Sequence, residues 1–189
     1  MNPYGLVRVR DAAPGVLVDL RYAGDSNFLG RPVYDDGEAW LLEGTARKLA
    51  AARDLAAASG LRLLILDAYR PLAAQRLMWE LLPDGDFVAP PDRGSVHNRG
   101  AAVDVTLADS SGRELAMPCP FDEFSERASH AYEGGSAEAR ANRGLLRRAM
   151  ESAGFRAYEN EWWHYNDPDL RQSPLIDESL AALASLARA

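Results

Sequence analysis

Three histidines occur in 189 residues, and two of them stand in segments able to do chemistry: His97 in SVHNRGAAVDVTL (residues 95–107) and His164 in EWWHY. His97 precedes Asp104 by seven residues, with Gly100 between them. A catalytic zinc site takes three protein ligands, commonly histidines and a carboxylate, and leaves its fourth position to water. His97, Asp104 and His164 would make such a set if the chain brought them together. Residues seven apart on a straight strand point to opposite faces, so His97 and Asp104 converge only across a bend, which Gly100 can supply. Asp104 is flanked by Ala102, Val103, Val105 and Thr106 in a run that otherwise reads as core. A carboxylate buried there is costly unless it is paired, hydrogen-bonded or bound to a metal. The spacing alone is equally that of a capping aspartate and a loop histidine.

Glu161 and His164 would share a face in a helical turn but not in an ideal strand, so a local turn or bulge must bring both to one site. Placed there, Glu161 lies near a metal without ligating it, where a general base takes a proton from water. Trp162 and Trp163 read as core or pocket wall. Arg70, in DAYRP, is either a fixed guanidinium facing the charge that develops on an attacked carbonyl, or a structural arginine at a helix start. His130, in ERASHAYEGG, reads as a residue of a polar, exposed loop. Cys119, between two prolines and far in sequence from any histidine, reads as a small wall residue rather than a nucleophile.

The elements that must position these residues are legible in part. Apolar residues at 46, 49, 52, 55 and 56 recur at helical spacing and Gly60 follows, predicting a helix that ends at about Ser59. LRLLILDAY is short, apolar and rich in branched side chains, as a strand buried on both faces and central in a sheet would be. Pro71 suits the first position of a helix through PLAAQRLMWELL, which puts Arg70 at a strand-to-helix junction. Pro83 to Gly94 reads as a surface loop and AAVDVTL as a second strand. Ser136 is a fitting N-cap for a helix stopped at Gly154, and a last helix is expected from Ser173 with Pro174 at its first position. Helices and strands mix without a regular βαβ repeat, so the class is α+β: one domain over residues 1–189, with a central, mostly antiparallel sheet carrying the site and helices flanking it.

Composition narrows the function. A formal charge of −7 and a pI near 5.0 argue against nucleic-acid binding. One cysteine excludes an internal disulfide framework. No run reaches the about 18 apolar residues of a membrane span, and the N-terminus has no apolar signal core, so a cytoplasmic location is expected.

SVHNRGAAVDVTL and EWWHY together resemble the zinc peptidases that include D-alanyl-D-alanine dipeptidases and carboxypeptidases. DLRYAGDSNFLG, DAYRP and PFDEFSERASH resemble the dipeptidase branch, so the likeness runs from about Val18 to His164. It implies one zinc per chain held by His97, Asp104 and His164, Glu161 as catalytic base and Arg70 as oxyanion stabiliser. Asp122 and Tyr22 would receive the substrate ammonium, and Ser95 would lie near its carboxylate. The implied reaction is hydrolysis of D-Ala-D-Ala to two D-alanines, in glycopeptide resistance or in recycling of D-alanine from peptidoglycan. The run ELAMPC departs from the branch, so Ala116, Pro118 and Cys119 are expected to reshape the pocket wall. Alternatives are a D,D- or L,D-carboxypeptidase or endopeptidase on longer wall peptides, which the missing export signal disfavours, and a zinc-binding module without catalysis, for which Glu161 and Arg70 would have no use. An interaction domain with merely structural His and Asp is a further alternative. Oligomeric state is not legible.

Overall fold

The computed structural model describes residues 2–85 and 87–187. Asp86, within the expected surface loop, and residues 188–189 of the tail lie outside them. The class is α+β. In chain order the elements are β1 (Leu6–Arg8), α1 (Val9–Ala12), β2 (Leu17–Val18), β3 (Trp40–Leu42), α2 (Glu43–Ala57), β4 (Arg62–Asp67), α3 (Leu72–Leu81), β5 (Ala102–Ala108), α4 (Ala137–Ser152), β6 (Arg156–Tyr158), β7 (Glu161–Asn166) and α5 (Leu180–Leu186). A five-stranded sheet runs β2-β4-β5-β7-β6, and β1 pairs with β3 beside it. The β2–β4 pair is parallel and the other pairs are antiparallel. β4 is interior, as its apolar run requires, but the central strand is β5, whose seven residues are all buried.

The pleat separates two jobs. Leu63 and Ile65 of β4, Val103, Val105 and Leu107 of β5 and Tyr165 of β7 join one hydrophobic cluster with Ala46, Leu49 and Ala52 of α2 and Leu146 and Met150 of α4. Asp104 pairs in register with His164, so these two project from the opposite face, away from the helices. α2 buries Thr45, Ala46, Leu49, Ala52 and Ala56, while Leu55, expected on that stripe, is 43% exposed on its flank. In α4 the Ser136 hydroxyl accepts from Ala139 N at 3.0 Å, the expected cap, and Gly154 (φ 93°) ends the helix in the left-handed region.

Two expectations about helix starts are corrected. Pro71 takes the cap position of α3, with extended ψ of 142°, rather than the first helical turn. The last helix does not begin at Ser173-Pro174. Residues 173–178 form a strap without regular structure, and α5 starts at Leu180 behind a Ser179 cap whose hydroxyl accepts from Ala182 N at 3.1 Å. The strap is used elsewhere: Ile176 N donates to Asn98 O at 2.9 Å, Arg99 donates to Ser173 O, and the Tyr69 hydroxyl bonds to Glu178 O at 2.8 Å. Backbone and side chain of the His97–Arg99 turn are thus buckled to the C-terminal strap.

Candidate active site

Local irregularities in the sheet assemble the site. His97 opens a 3₁₀ turn (His97–Arg99) closed by Gly100 at φ 67°, the bend that the spacing demanded. A Cβ at Gly100 would sit 2.5 Å from Leu6 Cδ2 and 3.3 Å from Leu42 N, so packing as well as conformation calls for glycine. On β4 the register slips between Ile65 and Asp67, which places Asp67 opposite Asp104. On β7 the partner of β6 jumps from Tyr165 to Glu161 while β6 advances from Ala157 to Tyr158. Trp162, Trp163 and His164 are therefore taken up in an irregularity, and it brings Glu161 and His164 to one site as expected. Bulges beside a site re-aim side chains in this way.

His97 Nε2 lies 3.3 Å and His164 Nδ1 3.0 Å from Asp104 Oδ1, and the two nitrogens are 3.0 Å apart. The other ring nitrogens are committed: His97 Nδ1 to Ala68 O at 2.7 Å and His164 Nε2 to Asn166 Oδ1 at 3.0 Å. Both acceptors are oxygens, so both committed nitrogens donate, and the neutral rings turn two lone pairs and a carboxylate oxygen toward one point. That convergence is repulsive without a cation between the three atoms, whether a proton or a metal ion. Burial alone would raise the Asp104 carboxyl, but His97 and His164 hold it well below the usual carboxylate range. Burial opposes charging of His97, and Asp104 and Asp67 overcome it and raise its pKa. These three residues form a group that could hold a metal ion.

Glu161 Oε2 is 4.0 Å from His164 Nδ1, beside the triad and outside it, and burial pushes its carboxyl up to about 8. Arg70 is clamped by Asp67 through Nε at 3.0 Å and a terminal nitrogen at 2.8 Å, and its other arm donates to Gln75 Oε1 at 3.0 Å. Asp67 in turn accepts from the Tyr34 hydroxyl at 2.6 Å and from Ala68 N at 2.8 Å. The guanidinium lies over the Tyr22 ring at 5.3 Å and 4.0 Å from Asp104, so it is held rigidly beside the triad. Arg70 thus pairs a carboxylate at a strand-to-helix junction and also lines the cavity that holds the triad.

Asp122 and Tyr22 meet, the hydroxyl donating to Oδ1 at 2.9 Å while Phe28 N donates to Oδ2 at 3.2 Å. Burial, only partly offset by these bonds, lifts the Asp122 carboxyl to about 7. Among the described non-glycine residues Asp122 has the one positive φ, 62°, a conformation that costs energy and is typical of functional loops. Ser95 Oγ accepts from His97 N at 3.2 Å. The triad, Glu161, Arg70, Asp122, Tyr22 and Ser95 all line one cavity of about 240 Å³, with Trp163 in its wall. Phe28, Phe87 and Phe124 also line it, with ring centroids 5.2 Å (Phe28–Phe124) and 5.0 Å (Phe87–Phe124) apart.

Residues 2–181 match the peptidase family described as D-ala-D-ala dipeptidase. The chain belongs to the D-alanyl-D-alanine dipeptidase family. It is 38% identical over 173 residues to the D-alanyl-D-alanine dipeptidase of Escherichia coli K12, covering 91% of this chain and 89% of that one. With the dipeptidase of that name from Enterococcus faecium it shares 36% over 183 residues, 85% of this chain and 90% of the relative, and with that from Enterococcus faecalis 36% over 197 residues, 92% and 93%. Membership makes the chain a metallopeptidase, and it fits the cluster of two histidines and a carboxylate around one point.

Two expectations about this dipeptidase-family chain are corrected by its geometry. Pro118 and Cys119 line a separate cavity with Thr106, Arg127 and Trp162, and Ala116 serves as a backbone acceptor for Asn142; the ELAMPC departure stays off the site wall. His130 is not exposed: it is 91% covered, its ring 6.1 Å from Tyr165. Sequence reasoning passed over Asp67, Gln75, Asn166 and the three phenylalanines. Asp67 was visible as a carboxylate ending an apolar strand, and Asn166 as a polar residue in phase with His164; nothing marked the others.

Proposed function

We propose that the chain is a zinc-dependent dipeptidase that hydrolyses D-alanyl-D-alanine. The carrying observation is a cation-demanding triad, a raised carboxyl and a clamped guanidinium sharing one small cavity with a buried Asp122 at another part of its wall. Donor separations of 3.0–3.3 Å suit tetrahedral zinc, whose ligands at about 2.0–2.1 Å stand roughly 3.3 Å apart. His97, Asp104 and His164 would hold it, one ion per chain. Bound there, zinc supplies Lewis acidity, polarising the peptide carbonyl and lowering the pKa of a water to about 7.

The chain's residues do the rest. Glu161, held protonatable by burial, accepts the proton of the attacking water and returns it to the leaving amine. Arg70, fixed by Asp67 and Gln75, stabilises the negative charge that develops on the carbonyl oxygen without reorganising during the reaction. Asp122, braced by Tyr22, takes the substrate ammonium, and Ser95 lies at the carboxylate side. A free dipeptide carries both charges within a few bonds. A cavity below the roughly 300–1,000 Å³ of drug-sized sites, walled by phenylalanines, favours it over a long peptide. A role in D-alanine recovery or glycopeptide resistance, and a cytoplasmic location, belong to this reading; no described helix is long and apolar enough to cross a membrane.

The test is release of D-alanine from D-Ala-D-Ala, L-Ala-L-Ala and a pentapeptide ending in D-Ala-D-Ala, each with and without chelator. Chelator-sensitive cleavage of the D,D-dipeptide alone is expected. Cleavage of the pentapeptide would move the enzyme to the carboxypeptidases, and metal binding without cleavage would leave a binding module.

A further inference from the structure

The two imidazoles present opposite nitrogens to the triad's centre, Nε2 from His97 and Nδ1 from His164, and each needs a partner on its far side to do so. For His97 the partner is the Ala68 carbonyl, 2.7 Å from Nδ1 and part of the backbone. For His164 it is a side chain. Asn166 stands two residues on along β7, on the same face, lines the same cavity, and places Oδ1 3.0 Å from Nε2. An amide oxygen only accepts, so this bond requires the proton on Nε2, and in a neutral ring that leaves Nδ1 bare.

We propose that Asn166 is a positioning residue for metal binding: its Oδ1 holds the His164 ring in the orientation and tautomer that aim the Nδ1 lone pair at the point shared with His97 and Asp104. The inference rests on the metal reading of the site. Hydrogen bonds from ligand histidines to outer partners fix ring orientation, and losing one typically weakens metal binding roughly 10- to 100-fold. Tyr158 packs edge-on against His164 at 5.8 Å and restrains the ring sideways, but an aromatic face cannot select a tautomer. A neutral amide also suits the charge balance. Asp67, Asp104, Asp122 and Glu161 already gather around Arg70, and an acceptor without charge orients the imidazole without adding a further anion.

The experiment measures zinc affinity by competition with a chromophoric chelator in the unsubstituted protein, Asn166→Leu and Asn166→Asp, together with the ¹⁵N shifts of His164 in the metal-free proteins. The unsubstituted protein is measured first, so that absence of zinc binding, which would sink the metal reading and this inference with it, is told apart from failure of the inference alone. Expected are a roughly 10- to 100-fold loss of affinity in Asn166→Leu, retention within a few-fold in Asn166→Asp, which keeps an acceptor, and an Nε2–H tautomer for His164 in the unsubstituted apoprotein. Zinc affinity in Asn166→Leu within twofold of the parent, or an Nδ1–H tautomer in the unsubstituted apoprotein, would overturn the proposal. The tautomer measurement needs no variant, so a poorly folding Asn166→Leu leaves the test intact.

Discussion

Glu161 and Asp122 are buried carboxyls that burial raises to about 8 and about 7. In the proposed reaction such basicity would let Glu161 take a proton from water and pass it to the leaving amine. Glu161→Gln keeps the shape and removes the base, so kcat should fall by at least the roughly 10²–10⁴-fold of a general base while stoichiometric zinc is retained. Normal turnover in that variant removes Glu161 from its role. For Asp122 the sign is explicit. Its folded pKa lies above the unfolded value of 3.8, so its contribution to stability is present at acid pH and disappears as pH rises toward 7. Asp122→Asn, which also tolerates φ near 60°, should therefore raise Tm at pH 8 and leave it little changed at pH 4, while raising KM for the dipeptide. A lower Tm at pH 8 would show that the ionised carboxylate is stabilised by something other than substrate.

At the scale of elements, three irregularities carry the site: the Gly100 bend, the slip on β4 that sets Asp67 against Asp104, and the excess residues on β7. Gly100→Ala forces a β-carbon into the left-handed region, at a cost of about 1–2 kcal/mol, and presses it on Leu6 and the Leu42 amide. A Tm lower by roughly 3–10 °C with weakened zinc binding is expected, and unchanged zinc affinity would detach the bend from the site. These elements also show what a sequence can carry. His97, Gly100, Asp104, Glu161 and His164 were legible because their types are rare in apolar runs and their spacing demanded a bend and a bulge. The Asp67–Arg70–Gln75 clamp was not, because a carboxylate at a strand end reads alike as cap, ligand or brace until the neighbouring strand is in register. His130 misled because polar neighbours in sequence say nothing about the chain that folds over them. Ser173-Pro174 carries a helix-start signal, but the hydrogen bonds that Asn98 accepts from the strap and that Arg99 and Tyr69 donate to it outweigh that signal.

For the whole molecule, a metal ion held by the triad would couple binding to folding. An ion that binds the folded chain and not the unfolded one stabilises it by about 4 kcal/mol at a thousand times its Kd. Chelation should therefore lower Tm by several degrees and zinc restore it, whereas a Tm indifferent to zinc would mean that the triad is closed by a proton alone. A second global response comes from His130, whose pKa burial and Arg147 lower to about 4 from 6.5. A depressed histidine contributes stability that is present above pH 6.5 and lost as pH falls toward 4. His130→Phe should flatten that limb of a stability–pH curve, and an unchanged limb would assign acid sensitivity to other groups.

The strap at residues 173–178 gives the order of events during synthesis a consequence. A ribosome adds residues at about 5–20 per second, and the His97–Arg99 turn emerges long before the segment that buckles it. His164 itself arrives late, so a nascent chain has one imidazole of the pair and no clasp on the turn that carries it. The cluster of His97, Asp104 and His164 is then complete only after residue 164 has emerged, so a metal ion held by all three could not serve as a nucleus around which the part before it folds.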